Sequence, residues 1–134
     1  MTRLLGLLLW LLPVTLLSQP AEFQFRSEDR PVFSNSIRVD ALKTALVEGK
    51  TVVLDVRLAE DFAETPAMIP GAIRMNPETL PDWISSLNKE QDIIVYCVAG
   101  KWVSQKVAYL LDQAGFRVQS LEGGIEAWQG SLAQ

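Results

Sequence analysis

From residue 36 to the C-terminus, short blocks of adjacent β-prone apolar residues alternate with stretches whose apolar residues recur every three to four positions. The blocks predict strands over 36–39, 51–56, 72–75, 93–97 and 116–121. The recurring stretches predict helices over 41–48, 60–63, 77–87, 104–114 and 125–132. Leu42, Ala45 and Leu46 share one face of the first helix, with Asp40 as its candidate N-cap and Gly49 as its terminator. Leu80, Trp83, Ile84 and Leu87 mark the 77–87 helix; Val107, Leu110, Leu111 and Ala114 mark the 104–114 helix, which Gly115 closes. The unbroken apolar runs at 52–54 and 93–96 suit strands covered on both faces, as in the middle of a parallel sheet. Strand–helix alternation of this kind predicts an α/β sandwich around a central parallel sheet of about five strands. Reactive groups in such sheets collect at the carboxyl ends of the strands.

The first 21 residues follow a different pattern. Arg3 precedes an apolar, leucine-rich run from Leu4 to Leu17 that has no polar face and falls short of a full membrane span. It reads as an export signal. No A-x-A pattern marks a cleavage point near Ser18 or Ala21, so an uncleaved membrane anchor is the competing reading. Residues 22–35 are polar, with Pro31 and scattered charges, and read as a linker or irregular lead-in. The predicted organisation is therefore a signal peptide or anchor over 1–21, a linker over 22–35 and one globular domain over 36–134.

The chain has 134 residues, 49% hydrophobic, which is enough for one domain with its own core. Its net charge is −4 and it carries no basic run, which argues against nucleic acid as a partner. There is no histidine and only one cysteine. Ser-His-Asp and Cys-His catalysis, CxxC redox chemistry, thiolate zinc sites and internal disulfides are all excluded. No metal or cofactor is called for.

The lone thiol, Cys97, ends the apolar run Ile93-Ile94-Val95-Tyr96 and precedes a short loop, Val98-Ala99-Gly100-Lys101, that leads into a helix. At such a junction, successive backbone N–H groups and the positive end of a helix converge, and both favour thiolate over thiol. Most free cysteines are simply small buried hydrophobes, and that reading stands beside the reactive one. A covalent catalyst built on this chain would use Cys97 and would have to activate it without histidine.

Four segments carry a resemblance: Leu54-Asp55-Val56-Arg57, Ile69-Pro70-Gly71-Ala72-Ile73, Val95-Tyr96-Cys97 with Gly100, and Leu121-Glu122-Gly123-Gly124 followed by Ala127-Trp128. In this order and spacing they resemble a single rhodanese (thiosulfate sulfurtransferase-like) domain. The resemblance implies a three-layer rhodanese-like sandwich and sulfane-sulfur transfer. A donor such as thiosulfate gives its outer sulfur to Cys97, and a thiophilic acceptor such as cyanide or a thiol removes it. It also implies that the backbone N–H groups of Val98, Ala99, Gly100, Lys101, Trp102 and Val103 ring the anionic persulfide. Gly100 lets that loop curl. Asp55 and Arg57 are implied as structural support, the arginine bracing its surroundings through carboxylates such as Glu60 or Asp61. Trp128 is read as a core residue and Gly123-Gly124 as a tight turn.

The chain departs from the family pattern in two places. Met68 precedes Ile69 where histidine is frequent, after about two extra residues around Thr65 to Ala67. After Gly100 come Lys101, Trp102 and Val103 rather than an arginine, which leaves Lys101 as the loop's own cation and a point charge rather than a fork. Trp102 is open between walling the pocket mouth and packing on a neighbouring loop. A cysteine-loop phosphatase or arsenate reductase needs an arginine six positions after the cysteine, where Val103 stands. A rhodanese-like sulfur carrier or interaction module without turnover is the other alternative. The expected partners are small sulfur donors and acceptors, for a monomer exported to a periplasm-like space, free there or tethered to the inner membrane.

Overall fold

A computed structural model describes residues 2, 3, 6 and 22–133 of the chain. The predicted signal or anchor therefore lies mostly outside the described residues. Five strands form one sheet: β1 (Ser36–Ile37), β2 (Thr51–Asp55), β3 (Ile73–Arg74), β4 (Asp92–Tyr96) and β5 (Val118–Leu121). Their order is β1-β5-β4-β2-β3, and every neighbouring pair is parallel. The two longest apolar runs, β2 and β4, pair over five residues from Thr51↔Asp92 to Asp55↔Tyr96. Burial on both faces is what lets these strands dispense with polar alternation.

Helices cover both faces: α1 (Val39–Glu48), α2 (Ala59–Glu64), α3 (Leu80–Trp83), α4 (Trp102–Gln113) and α5 (Gly124–Leu132). Alternate residues of β4 divide between two cores, because strand side chains point to opposite faces. Ile93, Val95 and Cys97 join Phe25, Leu80, Trp83, Val103, Val107 and Leu111. Ile94 and Tyr96 join Leu42, Leu121, Ile125 and Trp128 on the α1/α5 side. Trp128 is thus a core residue.

Three local expectations change. The α1 helix begins at Val39 with Arg38 in the N-cap position, so Asp40 sits inside the first turn and caps nothing. Gly49 closes it in the left-handed conformation, as the pattern predicts. The single helix expected over 77–87 is instead a 3₁₀ turn (Pro77–Thr79), the short α3 and a second 3₁₀ turn (Ile84–Ser86). Pro81 removes an N–H that a continuous helix would need, and the Trp83 indole N–H donates to the Asn76 carbonyl at 2.7 Å. The third change concerns 22–35. The segment is irregular, as expected of a lead-in, yet it is docked. Phe25 is 2% exposed and belongs to the same core as Cys97. Arg26 pairs with Glu60 and Glu78, and Ser120 N–H donates to the Asn35 carbonyl at 3.1 Å. Polar composition suggested a linker, but apolar Phe25 had a place to bury, and that decides where the segment lies.

Candidate active site

Cys97 follows the last residue of β4 and is 5% exposed. Its carbonyl accepts from Ile125 N–H at 2.9 Å, and the Val98 carbonyl accepts from Glu126 N–H at 3.1 Å. The first turn of α5 thus holds two successive peptide planes. A trans peptide carries its N–H opposite its carbonyl, so the N–H groups of Val98 and Ala99 turn away from α5. That is the side of the sheet on which the Cys97 side chain lies. Among the described residues, no acceptor takes the N–H of Val98, Ala99, Gly100, Lys101, Trp102 or Val103. Six consecutive unpartnered donors make an anion-seeking loop.

Two glycines let the loop approach the start of α5 so closely. Gly100 has φ 70°, and a Cβ there would stand 2.7 Å from the Leu121 carbonyl oxygen and 2.8 Å from Gly123 N. A Cβ on Gly124, at φ 58°, would meet the carbonyl oxygens of Cys97 and Val98 at 2.5 Å. The Gly123-Gly124 turn is therefore more than a turn, since Gly124 is where α5 reaches the cysteine loop.

Ser104, which sequence reasoning passed over, is fully buried and receives the Cys97 thiol proton in a hydrogen bond, Sγ to Oγ 3.2 Å. Once the thiol ionises, the same hydroxyl can turn and donate to sulfur. A small polar residue one turn before the apolar positions Val107, Ala108 and Leu111 of α4 was the available signal. Lys101 precedes α4 and is exposed. Trp102 packs on the lead-in segment, stacked with Phe25 at 5.6 Å between ring centroids. Val103 is buried at the position where an oxyanion-clasping arginine would be needed.

Asp55 and Arg57 lie at the end of β2, one strand away. Arg57 grips the carboxylate with Nε (3.0 Å to Oδ1) and Nη2 (2.6 Å to Oδ2). Nη1 and Nη2 also donate to the Thr65 and Ala67 carbonyls, at 2.6 and 3.0 Å. This corrects the expected partners: Arg57 pairs with Asp55, while Glu60 pairs with Arg26 at the surface. Burial works against the charge on Arg57, but the bonds and charge of Asp55 outweigh it and raise its pKa. Tyr96 completes the cluster, donating to Asp55 Oδ2 at 3.0 Å and accepting from Ile69 N–H at 3.2 Å. Burial, reinforced by the Asp55 charge, keeps its phenol protonated well above the usual tyrosine range.

A model of the rhodanese-like domain matches residues 38–131, which take in the cysteine loop, the β2 cluster and the glycine contact. The chain belongs to the rhodanese-like family. It is 35% identical over 95 residues to a sulfurtransferase of Allochromatium vinosum, spanning 70% of this chain and 87% of that one. A thiosulfate sulfurtransferase, GlpE, of Stutzerimonas stutzeri is 32% identical over 85 residues, covering 63% and 76% of the two chains. Among solved structures, a rhodanese-like domain protein from Staphylococcus aureus superposes with a TM-score of 0.63 at 36% identity, covering 70% of this chain and 90% of its own. The parallel five-stranded sandwich is thus the rhodanese-like fold, and the family is one of sulfurtransferases.

Proposed function

We propose that this rhodanese-like protein takes sulfane sulfur from thiosulfate and passes it through a Cys97 persulfide to cyanide or a thiol. The observation that carries the reading is the lone thiol beside six unpartnered N–H groups, with the Ser104 hydroxyl on its sulfur. The Cys97 thiolate attacks the outer sulfur of thiosulfate, the S–S bond of the donor breaks, and sulfite leaves with the bonding pair. The outer sulfur of the resulting persulfide is anionic, and the N–H groups of Val98 to Val103 stabilise it. Cyanide then attacks that sulfur, giving thiocyanate and restoring the thiolate. The name of the Stutzerimonas relative supports thiosulfate as donor. Incubation with thiosulfate should add about one sulfur, ~32 Da, removable by cyanide, and a Cys97→Ser variant should gain nothing. Mass gain in Cys97→Ser would sink the proposal. Loading without thiocyanate release in the wild type would instead indicate a carrier.

The run from Leu4 to Leu17 supports export of the domain. Residues 1–36 fused to a reporter active only after translocation should yield activity outside the cytoplasm. A reporter active only inside would refute export.

A further inference from the structure

Some cations of the described residues are paired with carboxylates and others are not. Arg26, Arg38, Arg57 and Arg117 each meet a carboxylate. Arg30 and Lys106 meet none among the described residues, and both lie against the Phe25–Trp102 stack. The Arg30 guanidinium sits 3.7 Å from the centroid of the Trp102 ring, and Lys106 Nζ lies 5.3 Å from that of Phe25. Lys106 is 5% exposed, and its ammonium donates once, to Ser27 Oγ at 2.9 Å. Arg30 uses Nη1 on the backbone carbonyls of Ser27 and Asp29, with Nε and Nη2 uncommitted. An ammonium with three donors and one neutral protein partner, at the edge formed by the exposed Ser27, keeps donors for water or an anion. Burial lowers the Lys106 pKa, the Arg30 charge lowers it further, and Asp29 offsets this only in part.

The placement is what makes this pair relevant to chemistry. Trp102 is the fifth residue after Cys97 and opens α4, and Lys106 is one turn further along the same helix. Phe25, between them, shares a core with Cys97 and Val103. Residues 25–30 therefore fold back onto the start of α4 and set a guanidinium on Trp102, the residue that follows the loop's own cation, Lys101. We propose that Arg30 and Lys106, with the Ser27 hydroxyl, form the site that recognises the oxyanion end of the sulfur donor, so that the docked N-terminal segment sets donor specificity. The inference rests on the sulfur-transfer reading and extends it: the segment favours small dianionic donors such as thiosulfate over monoanionic organic thiosulfonates. Arg30 supplies the planar fork that suits a sulfonate oxygen pair, and Lys106 adds a desolvated point charge.

The test separates binding from transfer. In the full-length Cys97→Ser background, calorimetric titration with thiosulfate reads binding alone. Arg30→Ala should weaken it about tenfold or more, the loss of one charge-assisted contact, while Arg30→Lys should recover part of that loss. In the Cys97-containing enzyme, Arg30→Ala should raise KM for thiosulfate by more than it lowers kcat, and should erode the preference for thiosulfate over benzenethiosulfonate. Lys106→Met should act in the same direction; because Lys106 is buried, the surface Arg30 variants carry the decision if that protein misfolds. Unchanged affinity in Arg30→Ala overturns the inference. Equal weakening by Arg26→Ala also overturns it, because Arg26 anchors the segment elsewhere and the effect would then be docking, not charge. Arg30-dependent binding in a wild type that never gains sulfur would uphold the anion site and reject sulfur transfer. Sulfur gain with Arg30-independent binding would do the reverse.

Discussion

Two polar assemblies stand at the carboxyl ends of adjacent strands, and they differ in one respect that assigns their roles. At the end of β2, Asp55, Arg57 and Tyr96 are buried and bonded to one another and to the 65–69 backbone, with every nitrogen of the guanidinium engaged. At the end of β4, the loop after Cys97 leaves six N–H groups without a protein acceptor. A buried network bonded this fully has little left to offer a ligand, and its value is to fix the chain around it. An unsaturated one is costly unless something anionic or water fills it. The β2 cluster is therefore scaffold, and the β4 loop is the place where a charged sulfur can be held.

The comparison breaks most readily at Arg57. Arg57→Met should cost about 3–5 kcal/mol, because it strands a buried carboxylate and frees the Thr65 and Ala67 carbonyls. Urea denaturation reads this directly; a loss below about 1 kcal/mol would mean that the cluster is not scaffold. Gly124→Ala should cost about 2–3 kcal/mol, since the added methyl meets two carbonyl oxygens at 2.5 Å and the backbone is left-handed. It should also slow sulfur loading of the folded protein, because the displaced carbonyls are those of Cys97 and Val98. Normal loading in a destabilised Gly124→Ala protein would show that the glycine contact serves stability alone.

Tyr96→Phe removes the Asp55 hydrogen bond and should cost about 1–2 kcal/mol at neutral pH. The variant also sharpens the pH behaviour. The folded protein holds this phenol protonated above the ordinary tyrosine pKa of about 10. The unfolded chain then binds fewer protons than the folded one. The contribution is fully present below about pH 10 and declines as pH rises from there toward the raised folded value. Thermal melts across alkaline pH should fall more steeply for the wild type than for Tyr96→Phe; parallel curves would count against a protonated buried phenol. The smallest effect is expected at Lys101, an exposed point charge. Lys101→Ala should raise KM for thiosulfate about two- to threefold with little change in kcat, and added salt should reproduce the change in the wild type. A salt-independent KM would remove Lys101 from donor attraction.

How much of this was legible depends on the range of the physics involved. Element order, the parallel sheet and the position of Cys97 at a strand's carboxyl end follow from the amino-acid pattern alone, because apolar period and turn residues act between neighbours in the chain. So does the absence of histidine, which rules out whole mechanisms before any folding is considered. The tertiary structure decided the rest. Arg57 lies near Glu60 and Asp61 in sequence, yet it pairs with Asp55, because both are buried together at the end of β2 while Glu60 is drawn to Arg26 at the surface. Gly100 and Gly124 read as loop glycines until the approach of α5 makes their missing side chains a requirement. Ser104 gains its meaning from the register of α4 against β4, which sets its hydroxyl on the thiol. Residues 22–35 read as a linker or lead-in because their composition is polar, and only the packed core offered Phe25 a site whose burial outweighs that composition. Each of these depends on residues distant in sequence meeting through packing, and such contacts leave no period or motif along the chain.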